Sequence, residues 1–145
     1  MALIEPRTTV QQATEKDDVA KRFSGAAGQY DEIANIQAQI ATAALARVPQ
    51  QHVNKALDIG CGTGRHTQRL GRIATTTTGL DLAAGMVEQA QQNYPVIHFV
   101  QGDAEQLPWQ SAAFDLVFSS MALQWCRCPQ AALAEISRVL HHGGR

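Results

Sequence analysis

Two rhythms divide the chain. Up to about residue 50, apolar residues recur at intervals of three and four. Thr14-Glu15-Lys16-Asp17 has the form of a helix start, an N-cap hydroxyl followed three residues later by an acid. Val19 and Phe23 then share one helix face, and Gly25 and Gly28 end it. Tyr30, Ile33, Ile36, Ile40 and Ala43 form a second helical stripe, closed by Pro49. Residues 1–13 are polar and lack a period, as a mobile tail would. They precede a domain over 14–145, in which 14–50 supply the amino-terminal helices.

From residue 51 the rhythm changes. Short apolar runs at 56–59, 76–82, 96–100 and 114–118 read as strands. Helical patterns separate them: one near 64–72, and one carrying Met86, Val87, Ala90 and Tyr94 that stops before Pro95. Leu133, Ile136, Val139 and Leu140 stripe a last helix. Strands alternating with helices predict parallel βαβ units and an α/β layered domain. Gly143-Gly144-Arg145 reads as a helix C-cap followed by the first residue of another strand.

Composition narrows the class. With 145 residues, 45% hydrophobic and 17% charged, the chain suits one folded domain and not a disordered one. Twelve Lys plus Arg against thirteen Asp plus Glu give a net charge of −1, which removes the basic surface of a non-specific nucleic-acid binder. No apolar run approaches the roughly 20 residues of a membrane span, and no basic segment leads into a signal-peptide core. Cys61, Cys126 and Cys128 are too few for a disulfide framework, so a reducing cytoplasm is expected.

The sharpest local signal is Leu57-Asp58-Ile59-Gly60-Cys61-Gly62-Thr63-Gly64. A strand delivers the chain into three alternate glycines, where the missing Cβ atoms let a ligand lie against the backbone at the carboxyl end of a sheet. A dinucleotide fingerprint would need glycine at position 65, which is Arg65, and the Lys-Ser/Thr of a phosphate loop is absent. Asp58, at the loop's base, would repel a pyrophosphate and suits a positively charged ligand. Asp81 closes the second strand, and a carboxylate there can accept both protons of a ribose diol. Asp103, after the third strand in Gly102-Asp103-Ala104, can accept the exocyclic amine of adenine; singly, either acid could equally be a surface loop residue.

These segments together resemble the class I S-adenosylmethionine-dependent methyltransferases, over residues from about 19 to 145. The resemblance implies a Rossmann-like α/β fold with parallel strand order 3-2-1-4, cut after strand four and its helix. It implies that Gly60, Gly62 and Gly64 pass beneath the methionine portion of S-adenosylmethionine and that Asp58 helps place its ammonium group. Asp81 would bind ribose and Asp103 adenine, with Leu82 and Ala104 flanking the ring. A narrower likeness rests on Val19-Ala20-Lys21-Arg22-Phe23-Ser24, Ala26-Ala27, Tyr30 and Met121-Ala122-Leu123-Gln124-Trp125-Cys126. These look like the amino-terminal half of the malonyl-acyl-carrier-protein O-methyltransferases of biotin synthesis. The likeness implies a carboxyl O-methyltransferase whose partner is malonyl-acyl-carrier protein or malonyl-CoA. Tyr30 would lie over the methionine end or the acceptor, unless it is a core aromatic, and Ser119 and Gln124 would line the pocket. Other small-acid methyltransferases, including the trans-aconitate type, share the Gln-Trp pair, and a truncated fragment that binds cofactor without turnover is a third reading. Cut there, strand four is expected to be a bare edge, with Val117 lacking a neighbour and self-association through it.

Other residues carry plainer expectations. Cys126, Cys128, His141 and His142 fit no usual zinc spacing, so no metal is expected. The helix start after the glycine loop would lower the Cys61 pKa. Arg65 and His66 either approach a carboxylate or form a solvated face; Lys21 and Arg22 either attract an acidic carrier or are simply exposed. Ala83 stands where an N-cap hydroxyl is usual, which predicts a helix that starts late or frays.

Overall fold

A computed structural model describes residues 16–18, 20–21 and 35–145. The tail expected over 1–13, the cap at Thr14, and Val19, Phe23, Gly25, Gly28, Tyr30 and Ile33 lie outside the described residues. Lys16, Asp17, Asp18, Ala20 and Lys21 are helical. Then come α1 (Asn35–Leu45), β1 (Val53–Ile59), α2 (Arg65–Leu70), β2 (Ala74–Asp81), α3 (Ala84–Asn93), β3 (His98–Gln101), β4 (Leu116–Ser119), a 3-10 turn (Leu123–Trp125) and α4 (Pro129–Val139).

The four strands form one parallel sheet in the order β3-β2-β1-β4. The central strand β1 is covered on both faces, so Ala56, Leu57, Asp58 and Ile59 are all buried, the continuous burial that a parallel sheet imposes. Alternation divides them between two layers. Leu57 and Ile59 join Leu80, Leu107, Phe114 and Val139 on the α4 side, where Trp109 meets Phe114 edge to face at 5.2 Å between ring centroids. Ala56 joins Leu70, Ala74, Leu116 and Phe118 on the other side, under Ala44, Leu45 and Val48. Each fully buried leucine contributes about 1.5–3 kcal/mol, so the core of the fold sits at β1 and its neighbours.

Several expected boundaries move. The third strand starts at His98, because Pro95 and Ile97 lend their carbonyls to the Gln91 amide in a turn that leaves Val96 98% exposed. The fourth starts at Leu116; Phe114 pairs instead with Leu140 as an isolated bridge. The stripe on α1 is reversed: Ile36, Ile40 and Ala43 are exposed, and the helix buries Ala41, with Ala44 and Leu45 on the cluster that includes Leu70 of α2. On α4, Leu133 is likewise exposed while Ala132 and Val139 are buried. The helix also ends at Val139, four residues before the glycine expected to cap it.

The edge beyond β4 is partly filled. Arg145 donates its N–H to the Asp115 carbonyl at 2.9 Å, and Val117 donates to the Arg145 carbonyl at 2.8 Å, the start of a further ladder. Val117 also packs on the Leu57 cluster. β4 is the edge strand of the described sheet, as expected, but the expectation that Val117 lacks a neighbour is corrected. Asp115 fastens β4 to the start of β1, accepting the Asn54 and Lys55 amides at 3.0 and 2.7 Å.

Candidate cofactor site

The carboxyl ends of β1 and β2, with the loops after β3 and β4, surround one open cavity. The space open to the centre of a water-sized sphere is about 100 Å³, and the cavity opens broadly to solvent. This is the end of an open parallel sheet where ligands bind, because the loops diverge there.

The loop after β1 is fixed to β2. Gly60 and Cys61 both donate to the Leu80 carbonyl, at 2.7 and 3.0 Å. Gly62 donates to Asp81 Oδ2 at 2.9 Å, and Ala83 donates to Asp81 Oδ1 at 2.9 Å. Asp81 thus holds the loop on one side and the entry to α3 on the other. That second bond explains why α3 begins on time without a capping hydroxyl. Ala83, itself 1% exposed, accepts from Met86 and Val87, so the expected late start does not occur. Burial raises the Asp81 pKa against the lowering pull of its amide donors.

Two glycines are required for different reasons. Gly60 has φ +75°, and a Cβ there would lie 2.2 Å from the Ala122 Cβ, so the loop after β4 closes directly on the glycine backbone. Gly64 has φ +89°, and a Cβ would strike Phe99 and Tyr94. Gly60 and Gly62 line the cavity; Gly64 does not, and serves the packing of α3 and β3.

Asp58 lies beneath the loop, outside the cavity wall and 2% exposed, where its carboxylate accepts the Thr67 hydroxyl at 2.7 Å. Burial pushes its pKa up to about 7; the Thr67 hydrogen bond opposes the rise and the Asp81 charge adds to it. Cys61, packed with Ala90 and Phe99, has its pKa raised by burial, the reverse of the lowering expected from the helix start.

The opposite wall is formed by Leu82, Met86, Asp103, Ala104 and Glu105. Asp103 is in place, but it is already engaged: Oδ1 accepts the Glu105 amide at 2.9 Å and Oδ2 accepts the Lys16 ammonium. Lys16 also lies 2.6 Å from Glu105 Oε2. Burial pulls the Lys16 pKa down, and the two carboxylates more than offset it. No local pattern at residue 16 disclosed this contact, because its partners are 87 and 89 positions away.

Two further expectations are corrected. The Ser119 hydroxyl turns back to the Ile59 carbonyl at 3.0 Å, and its neighbour Ser120 lines the cavity instead. Gln124 is exposed on the 3-10 turn, while Trp125, Cys126, Met121 and Ala122 form that wall. Met121 adopts φ +59°, a costly conformation for a residue with a Cβ, at the point where the chain turns into the cavity. Beyond the glycine loop lies a second hollow, bounded by Gln37, Ala38 and Ala41 of α1 with Arg65, His66 and Met121. Among the described residues no group of three or more His, Cys, Asp or Glu side chains could hold a metal, and no helix is long and apolar enough to cross a membrane.

A parallel 3-2-1-4 sheet, a glycine loop after its first strand and an acid at the end of its second define a Rossmann-like class I methyltransferase fold. The methyltransferase domain family model matches residues 57–145, and the chain belongs to that family. It is 39% identical over 137 residues to the malonyl-[acyl-carrier protein] O-methyltransferase of Serratia marcescens, covering 94% of this chain and 54% of that protein. The Herminiimonas arsenicoxydans protein of the same name is 44% identical over 133 residues, covering 90% and 50%. The chain therefore spans about half the length of these curated relatives. A solved S-adenosylmethionine-dependent methyltransferase from Mesorhizobium loti superposes with a TM-score of 0.65 at 27% identity, over 71% of this chain and 49% of that one.

Proposed function

We propose that the cavity binds S-adenosylmethionine and that the chain is the cofactor-binding part of an O-methyltransferase acting on the free carboxylate of malonyl-acyl-carrier protein or malonyl-CoA in biotin biosynthesis, in the cytoplasm. Residues 51–145 then supply the cofactor-binding units and 14–50 their amino-terminal cover. The observation that carries this reading is the Asp81 carboxylate, joined to the amide of Gly62 at the floor of an otherwise mostly apolar cavity. Identity to the two malonyl-[acyl-carrier protein] O-methyltransferases supports the choice of acceptor.

The residues present fit that cofactor. Asp81 spends one acceptor site of each oxygen on a backbone amide, and a carboxylate retains about two more for vicinal hydroxyls. Leu82, Met86 and Ala104 offer apolar faces to a purine, and Asp103 stands beside them with a carboxylate for its amine. The glycine loop can bring bare backbone against the amino-acid end. Asp58 contributes from below, where its bond to Thr67 ties β1 to α2 under the loop.

Bound there, the cofactor supplies an electrophilic methyl group on a sulfonium sulfur. The protein's own work is positioning and the exclusion of water, and a well-aligned pair gains up to about 7–11 kcal/mol from orientation. A malonyl carboxylate is ionised near neutral pH, because ordinary carboxyl pKa values lie near 4. No side chain of the cavity then needs to remove a proton from the acceptor. Esterification removes the carboxylate charge, so the product enters apolar surroundings that the substrate resists.

The test is mass spectrometry of malonyl-acyl-carrier protein incubated with S-adenosylmethionine and the chain, with trans-aconitate in parallel. A mass gain of one CH₂ on the carrier supports the proposal. A gain on trans-aconitate alone moves the acceptor to the other small-acid type, and no gain on either leaves a cofactor-binding fragment.

A further inference from the structure

Three walls of the cavity come from segments outside the sheet: the helical residues 16–18 and 20–21, the loop after β3, and the 3-10 turn after β4. Charged groups tie all three. Lys16 contacts both Asp103 and Glu105. Glu105 then accepts the Cys128 amide at 3.0 Å on Oε1 and the Arg127 amide at 3.2 Å on Oε2, immediately after the Trp125 and Cys126 wall. The Lys16 and Glu105 side chains are 25% and 13% exposed, so the contact is partly shielded from solvent.

We propose that Lys16 and Glu105 are positioning residues, a clasp that holds the amino-terminal segment and the 3-10 turn closed over the adenosyl end of the cavity. This rests on the reading that the cavity takes S-adenosylmethionine, and it deepens that reading. Among the described residues, Ala20 packs on Ala83 and Met86. The Lys16 ion pairs with Asp103 and Glu105 add a charged, directional hold to that contact. A ligand covered by the segment leaves only when the clasp opens, so the clasp should act mainly on dissociation. Ion pairs of this exposure are screened by salt. S-adenosylhomocysteine carries no net charge near neutral pH, so a salt dependence of its affinity would originate in the protein.

The experiment is calorimetric titration of the chain with S-adenosylhomocysteine at low and high ionic strength, for wild type, Lys16→Met, Lys16→Arg and Glu105→Gln. Thermal melts of each variant establish that it is folded. Wild type should bind more weakly as salt rises. Lys16→Met and Glu105→Gln should each bind about tenfold more weakly at low salt, the scale of one lost charged hydrogen bond, and should lose most of the salt dependence. Lys16→Arg should retain both affinity and salt dependence, and hydrogen exchange at residues 16–21 should slow on binding in wild type but not in Lys16→Met. Wild-type binding with an unchanged constant in folded Lys16→Met and Glu105→Gln overturns the clasp and leaves the cofactor reading intact. An absence of binding in wild type overturns both.

Discussion

Replacing Asp58 by Asn tests the electrostatics beneath the glycine loop. The Asp58 carboxyl is raised from 3.8 to about 7, chiefly by burial. A folded state that keeps its proton to a higher pH binds more protons than the unfolded chain between about pH 4 and pH 7. Stability therefore falls as pH rises through that window; the penalty is absent below it and complete above it. The shift is roughly three units at about 1.36 kcal/mol each, so the full penalty is on the order of 4 kcal/mol. Asn is nearly isosteric, still accepts the Thr67 hydroxyl, and carries no charge to desolvate. Urea unfolding of both proteins across that window should show similar stability near its acid end. The variant should gain steadily as pH rises, up to about 4 kcal/mol above it. A stability difference that does not change with pH, or a wild type that is the more stable protein above neutrality, would refute the assignment of a buried, high-pKa carboxyl.

Other outcomes follow from the same contacts. Gly60→Ala combines left-handed backbone with a methyl 2.2 Å from Ala122 Cβ, which no rotamer can relieve; unfolding titrations should show a loss of about 2–5 kcal/mol. Thiol labelling should proceed in order of exposure: Cys128 first, Cys126 more slowly, and Cys61 only on unfolding. Glu135, paired with Arg138, has its pKa lowered from 4.5 to about 2 and accepts the Leu107 amide at 2.8 Å. Its stabilisation is complete above the ordinary carboxyl range and lost as pH falls through the folded value. The Leu107 amide resonance should accordingly titrate with a midpoint near 2.

What the sequence disclosed followed from local chemistry. The strand, three glycines and helix at residues 57–70 announce themselves, because positive φ selects glycine and a doubly covered strand must be apolar. Asp81 was legible from its place at the end of the second strand. The face of α1 was not: Ile36 and Ile40 fall at helical spacing, yet the helix buries Ala41 and packs Ala44 and Leu45 on the cluster of Ala56, Leu70, Leu116 and Phe118. Ser119 and Ser120 are distinguished only by the strand's alternation, a one-residue matter that the pairing of Ser119 with Ile59 of β1 settles. Lys16 was the least legible, since its role depends on partners 87 and 89 residues away that only the closed sheet brings near.

The most direct measurement of the central claim is a crystal structure of the chain grown with S-adenosylhomocysteine. The ribose hydroxyls should be hydrogen-bonded to Asp81, the purine should lie between Leu82 and Ala104, and the homocysteine chain should run along Gly60 and Gly62. A ligand seated elsewhere, or a saturated crystal whose cavity holds only solvent beside Asp81, would contradict it.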